Sequence, residues 1–326
     1  MIVTHVSFIP WGTSAYSYKV NASDGESYYL KWFDLKDGRQ EQASKHLDRY
    51  LPLTWNMYHK GIFPNLTYPI KTKRGSYFAT FQKSLLVLFN FIDGPTWKEA
   101  GYSKRSLELL AKLLAVLHST TPHIDHQHLP LERFHNGPRK ALEECLHVLQ
   151  TTTTFSNRSQ ESLRELILPK QEQIESFLKT FLAVHAAVPS IQKDWVLCHG
   201  DLWAGNIILQ QDELFLIDWE HVAIAPPERD LSYFISLGTD FAYFFRHYES
   251  HFDKEVILHA DLIRFYTYRR KLTHLVFLLK NILYRNKSEA ENQLDLETIS
   301  RYYTDSWDIA DHAVEKAQSM LQRNIL

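Results

Sequence analysis

Apolar residues in the first 92 positions come in short runs separated by polar turns, whereas from Ser103 onward they recur at three- and four-residue spacing. The short runs Val6–Ile9, Tyr16–Val20, Ser27–Phe33, Tyr77–Phe81 and Leu85–Ile92 are rich in β-branched and aromatic side chains, which predicts strands of one antiparallel sheet. One helix, Gln40 to Tyr50, is predicted among them. After Ser103, the positions Leu107, Leu110, Ala111, Leu114 and Leu117 fall on one face of a helix ending near His118. Residues 139 to 188 carry two more helical patterns, broken by the polar tract TTTTFSNRSQ and by Pro169, and roughly 241 to 326 reads as helical with frequent aromatics (FAYFF, FYTYRR, RYYTDSW). These aromatics are core residues by default. No repeat of solenoid length recurs. The class is α+β: a small sheet lobe over 1–92 and a mostly helical lobe over 93–326, with FNFIDG as the hinge between them.

Composition narrows the picture in a few places. A chain of 326 residues with 44% hydrophobic residues is long enough for two cores. Its net charge of -2 gives no electrostatic case for nucleic acid. Two cysteines, Cys145 and Cys198, make neither a disulfide framework nor a zinc cluster. MIVTHVSFIPWG lacks the basic start and long apolar run of a signal peptide, and Leu272–Tyr284 is too short to span a bilayer, so a cytoplasmic protein without a membrane partner is expected. HIDHQH (123–128) gathers three imidazoles, but in a Pro-flanked loop without helical i, i+4 spacing, so it is read as a loop and not a metal site.

The chemistry concentrates in HGDLWAGNIILQQDELFLIDWEH, His199 to His221. Asp201 and Asn206 have the D-x-x-x-x-N spacing of phosphoryl-transfer loops, in which the Asp accepts a hydroxyl proton and the Asn holds Mg²⁺. Ile207–Leu209 and Leu214–Ile217, joined by the polar turn Gln210–Glu213, predict a β-hairpin that brings Asn206 near Asp218. Both offer oxygen ligands, the kind Mg²⁺ takes. Each residue alone is also an ordinary turn residue. Upstream, PWGTSA is a hydroxyl-rich turn, structural or phosphate-covering, and Lys31 lies in an aromatic strand, either facing water or paired with an anion.

HGDLWAGN followed by LIDWE resembles the aminoglycoside phosphotransferase and choline kinase family, small-molecule relatives of the protein kinases. The stretch APPERDLSYF (225–234) is similar to that of members acting on spectinomycin. The resemblance implies a bilobal protein-kinase-like fold, ATP and Mg²⁺ as cofactors, and transfer of the γ-phosphoryl group to a hydroxyl of a small-molecule acceptor. It further implies that Gly12, Thr13 and Ser14 cover phosphates, that Lys31 holds them, and that Glu41 orients Lys31. The Asn90 carbonyl and the Ile92 N–H would meet adenine, and Asp230 would support the catalytic loop. Trp203, Glu220, Asp240 and Asp305 are candidates for the acceptor side. Gly200 stands where the protein-kinase loop has Arg and no A-P-E segment follows, so a protein substrate is not expected. An aminocyclitol or aminoglycoside-type antibiotic is the first acceptor class. Choline, homoserine or a sugar is the second, and nucleotide binding without catalysis is a third reading.

Overall fold

The computed structural model describes residues 2–10, 12, 14–188, 194–286, 288–303, 311–317 and 319. Thr13 and Asp305, expected in the phosphate turn and on the acceptor side, lie outside the described residues. The chain divides into two compact units: Met1–Glu132 with Trp195–Asp230 and Tyr243–Glu255, and Arg133–Asp194 with Leu231–Ala242 and Val256–Leu326.

The first unit contains an antiparallel five-stranded sheet in the order β1-β2-β3-β5-β4: β1 (Val3–Ile9), β2 (Tyr16–Ala22), β3 (Ser27–Asp34), β4 (Ala79–Phe81) and β5 (Ser84–Asn90). Alternation along β3 turns Lys31 and Phe33 to the buried side and Trp32 outward, so the lysine faces the core and not water. Two helices follow where one was expected. Gly38–Ser44, capped by the Asp37 carboxylate, stops at Lys45, and Leu47–His59 begins a new one. The N–H groups of Lys45 and His46 bond three residues back, which tightens and ends the first helix. Only the second has an apolar face to bury, at Leu47, Tyr50, Leu51 and Met57.

Beyond β5 the chain is tied to the hairpin that carries the candidate chemistry. Gly94, at φ +151°, approaches so closely that a Cβ there would lie 2.2 Å from the Leu209 carbonyl oxygen. The Leu209 N–H donates to the Pro95 carbonyl at 3.0 Å. Thr96 and Glu99 form a reciprocal cap on the short helix Trp97–Ala100, and Ser103 with Ser106 caps Lys104–Ser119, the helix read from its apolar spacing. Two strands of three residues, β6 (Val196–Cys198) and β9 (Ala223–Ala225), pair antiparallel. Between them lies the expected hairpin, β7 (Ile207–Gln210) and β8 (Glu213–Leu216), in register Ile207↔Leu216 through Gln210↔Glu213.

In the second unit the polar tract gives way to helix earlier than its composition suggests, because Asn157 caps Arg158–Ile167 through its side chain. Three helices therefore occupy the region where two patterns were read, with Pro138–Thr151 and Gln171–Ala187 on either side. The long helix Ala260–Lys280 packs on both of these, and Glu289–Tyr303 packs on Arg158–Ile167. Phe181 and Phe265 stack at 5.7 Å, with Phe134 edge-on to Phe265. Of the aromatics in the expected stretches Phe241, Phe244, Phe245, Phe265, Tyr266, Tyr268 and Tyr303 are buried, whereas Tyr302 is exposed. Among the described residues no helix is long and apolar enough to cross a membrane.

Candidate active site

The strand β6 delivers His199 and Gly200 to a turn that only glycine can make. Gly200 has φ +83°, and a Cβ on it would lie 2.4 Å from the His221 carbonyl oxygen and 2.7 Å from the Arg229 guanidinium. Arg229 donates to that same carbonyl at 2.8 Å and pairs with Glu132 at 3.5 Å, so a second side chain has no room at position 200. This supplies the physical reason for glycine in place of the protein-kinase arginine.

Asp230 fastens the turn from behind. Its carboxylate is fully buried and accepts the N–H groups of His199 and Gly200, each at 2.8 Å, with His118 Nε2 at 3.3 Å. Burial alone would raise its pKa, but the bond from His118 and the neighbouring imidazoles and amide outweigh it and hold the carboxyl below the ordinary range. The His118 Nδ1 in turn meets the Tyr248 hydroxyl at 2.7 Å. Cys198 lies close enough to His118 and Asp230 for a three-ligand cluster, the one such group among the described residues. Burial, reinforced by Asp230, pushes its thiol pKa well up, so it stays a thiol, and the carboxylate already serves backbone donors. These are structural contacts, as expected for Asp230.

His199 is buried, and burial lowers its pKa despite nearby carboxylates, so the ring is neutral at pH 7. A neutral ring has one donor. Nε2 faces the Ile217 carbonyl at 2.9 Å, which makes it the N–H, and Nδ1 is left to accept from the Asp201 backbone at 3.3 Å. The histidine thereby links the loop to the end of the second hairpin strand.

Asp201 and Asn206 meet directly. The Asn206 amide donates to both the Asp201 carbonyl and its carboxylate Oδ2 at 2.9 Å, which leaves its own Oδ1 as an acceptor turned away from those bonds. The Asn206 carbonyl accepts the Ile217 N–H at 3.0 Å, which fixes the residue opposite the one preceding Asp218. Asp218 itself sits at φ 65°, ψ 69°, a left-handed conformation at which the chain turns out of the hairpin. Its carboxylate takes the Lys31 ammonium at 2.6 Å. Burial raises the carboxyl pKa, but Lys31 lowers it further, while Asp218 and Glu220 overcome the burial of Lys31 and hold it well above its usual value; the pair is an ion pair. Glu220, raised by burial and by Asp218, accepts a hydrogen bond from the Ser14 side chain. The Tyr50 hydroxyl is buried beside this cluster and has no hydrogen-bond partner among the described residues.

Of the residues singled out from sequence, Ser14, Lys31, Asp201, Trp203, Asn206, Asp218 and Glu220 are all in this first unit. Glu41 is in it too, but does not reach Lys31: it is half exposed and pairs with Lys45 at 3.6 Å, the i, i+4 neighbour on its own short helix. The partner of Lys31 is Asp218, 187 residues away in the chain. The Asn90 side chain and N–H are both engaged with the Tyr68 backbone, Ile92 is buried just past β5, and Gly12 has φ +100°. Asp240 belongs to the second unit. Arg229, Tyr50 and His118 had not been assigned these contacts from sequence. The sequence signal for Arg229 is indirect, the glycine at position 200 whose missing side chain leaves it room, and Tyr50 has none.

Asp201 is held by Asn206, five residues on, beside the Lys31–Asp218 pair, which is the arrangement expected of a kinase-like phosphotransferase. Residues 5–260 match the phosphotransferase enzyme family (APH), and the chain belongs to that family. Its fold is shared with spectinomycin phosphotransferase, APH(9)-Ia, crystallised with ADP and spectinomycin: the TM-score is 0.75 at 19% identity, over 96% of this chain and 94% of that one. Choline kinase LicA from Streptococcus pneumoniae aligns with a TM-score of 0.55 at 16% identity, over 99% and 95% of the two chains. In sequence, Protein LicA of Haemophilus influenzae is 39% identical over 62 residues, a match spanning 18% of each chain.

Proposed function

We propose that the protein transfers the γ-phosphoryl group of ATP to a hydroxyl of a small molecule, with an aminocyclitol or aminoglycoside-type antibiotic such as spectinomycin as acceptor. The observation that carries the reading is the joint placement of an Asp201–Asn206 contact at 2.9 Å and a Lys31–Asp218 pair at 2.6 Å on one loop-and-hairpin frame. In this reading Asp201 orients the acceptor hydroxyl and takes its proton late, as the loose transition state of phosphoryl transfer requires. Asn206 holds the Asp201 carboxylate in place. Lys31 exchanges part of its attraction to Asp218 for nucleotide phosphates, and Gly12, Thr13 and Ser14 cover them. Adenine lies against the Asn90 carbonyl and Ile92 N–H, where the segments 1–92 and 93–326 join.

The donor set fits a divalent ion. Asp218 and the Asn206 Oδ1 are hard oxygen ligands, and Asp218 already attracts a cation, the Lys31 ammonium. Mg²⁺ bound there would neutralise phosphate charge.

Acceptor choice is supported by the fold likeness to a protein crystallised with spectinomycin. The local sequence match to Protein LicA and the fold likeness to choline kinase LicA favour choline as the second reading. The test is ATP consumption by the purified chain with Mg²⁺ and a panel containing spectinomycin, other aminoglycosides, choline, homoserine and sugars. Turnover that depends on spectinomycin supports the first reading, and a higher kcat/KM for choline replaces it with the second. Turnover independent of every acceptor removes both.

A further inference from the structure

The loop that carries Asp201 also carries an exposed tryptophan in an unusual seat. Leu202 is buried, and the flanking Asp201 and Trp203 turn to the accessible side, with Trp203 48% exposed. The indole lies on Gly205: a Cβ at that position would be 2.1 Å from Cη2, 2.3 Å from Cζ2 and 2.6 Å from Cζ3 of the ring. Gly205 does not have a positive φ, so what requires glycine here is the ring and not the backbone turn. The backbone at Trp203 is itself fixed: its carbonyl accepts the Asn206 N–H at 2.9 Å, inside the loop that holds Asp201. From the other element tied to the hairpin, the helix Trp97–Ala100, the Lys98 ammonium stands 5.7 Å from the centre of the indole.

An indole held this firmly while half exposed, two residues from the proposed base, is a platform for a ligand. We infer that Trp203 is a specificity-determining residue that stacks on the saturated ring of a cyclic, oxygen-rich acceptor, while Lys98 donates to a ring oxygen and disfavours a quaternary ammonium on the same face. The inference rests on the proposed small-molecule kinase activity and narrows its acceptor class. Its physical basis is the indole π face, which attracts either C–H groups or a cation. Lys98 already supplies the cation, so a trimethylammonium group meets like charge, whereas a neutral C–H face does not. Amines on such an acceptor are then held away from Lys98.

The test uses the full chain in five forms: wild type, Trp203→Leu, Trp203→Phe, Gly205→Ala and Lys98→Met. Binding of spectinomycin to the ADP- and Mg²⁺-loaded protein is measured by calorimetry, and steady-state kinetics are run with spectinomycin and choline. Trp203→Leu should weaken spectinomycin binding at least tenfold, in the range of one lost ring-stacking contact, and should raise the acceptor KM more than the KM for ATP. Gly205→Ala, which pushes the indole off its seat, should reproduce that split. Lys98→Met should lower the choline KM about two- to fivefold, the size of an exposed cation–π term. Trp203→Phe, which keeps an aromatic face, should recover most of the affinity. Spectinomycin binding that is absent in the wild type, or unchanged within twofold in Trp203→Leu, overturns the inference. So does a variant in which the KM values for ATP and acceptor rise together. If binding depends on Trp203 but no acceptor stimulates ATP turnover, the inference stands and the kinase reading fails.

Discussion

The loop of the first unit and the helical core of the second solve opposite problems. At Asp230 a buried carboxylate is matched to specific donors: two backbone N–H groups and an imidazole, which in turn meets a tyrosine hydroxyl. Around Phe265 packing is dominated by rings, with Phe134, Phe181 and Tyr266 at 5.2 to 5.7 Å between ring centres. Apolar packing stabilises in proportion to the area removed from water and tolerates changes of shape. A buried polar network stabilises only when complete, and it fixes one geometry. The protein thus keeps directional contacts where atoms must be positioned and non-directional ones where mass must be buried.

Asp201→Asn should break the first region with the least effect on either. The asparagine can still accept from Asn206, so the loop remains closed, but it cannot take the acceptor proton. A fall in kcat of roughly 10²- to 10⁴-fold is expected, with a melting temperature close to that of the parent. Near-normal turnover would remove Asp201 from the proton-accepting role.

Phe265→Ala should do the reverse. Removing a fully buried ring from the second unit leaves a cavity costing about 3–5 kcal/mol. Denaturant titration should show that loss, while the folded fraction retains the parent KM for ATP. A loss below about 1 kcal/mol would mean that the aromatic core relaxes around the gap.

Legibility from sequence followed the same division. The Asp201–Asn206 pair, the hairpin and the helix 104–119 were readable because their determinants lie within a few residues: a fixed spacing, a polar turn, one apolar face. The number of helices between 139 and 188 was not readable, since Asn157 starts a helix inside a tract that composition alone marks as loop. What stayed hidden was long-range. Strands of three residues, such as β6 and β9, are too short for a period to appear. The fit of Arg229 into the space above Gly200 depends on two loops meeting.

Asp230→Asn tests whether the polar network depends on charge. An asparagine keeps one acceptor oxygen for the loop but puts an NH₂ where the other backbone donor points, so stability should fall by about 1.5–3 kcal/mol, the range for hydrogen bonds to charged groups. The pH dependence has a definite sign. The folded-state pKa of Asp230 lies below the unfolded value of about 3.9. Its contribution is therefore full above that pH and is lost as the pH falls through the folded value. The part of the parent–variant gap that comes from Asp230 itself should be full at pH 5 and above and should narrow as the pH falls from about 4 through the folded value. His199, whose pKa burial lowers and Asp230 partly restores, adds a separate loss that begins as the pH falls below about 6.5, because the unfolded chain then takes up the proton first, and that loss is larger in the variant, which lacks the Asp230 charge. A parent–variant gap that did not narrow at all as the pH fell below about 4 would show that shape, not charge, holds the loop.

The smallest expected effect sharpens the comparison most, because it sets two ion pairs of the same unit against each other. Lys31–Asp218 is buried on the lysine side, 2.6 Å long and flanked by Glu220, whereas Glu41–Lys45 is half exposed at 3.6 Å along one helix. Exposed i, i+4 pairs contribute about 0.3–0.5 kcal/mol, because water screens them and two long side chains lose freedom. Glu41→Gln should accordingly change stability by no more than about 0.5 kcal/mol and leave the KM for ATP within twofold. Lys31→Met leaves the Asp218 carboxylate, with 30% of its side chain exposed, without its cation, and should cost less than breaking a fully buried pair, about 3–5 kcal/mol, because water screens part of the remaining charge. Nucleotide binding should weaken with it. If Glu41→Gln instead raised the KM for ATP tenfold, the helix Gly38–Ser44 would have to turn its carboxylate inward when nucleotide is present, and Lys31 would have two alternative partners: Asp218 in the free protein and Glu41 in the loaded one.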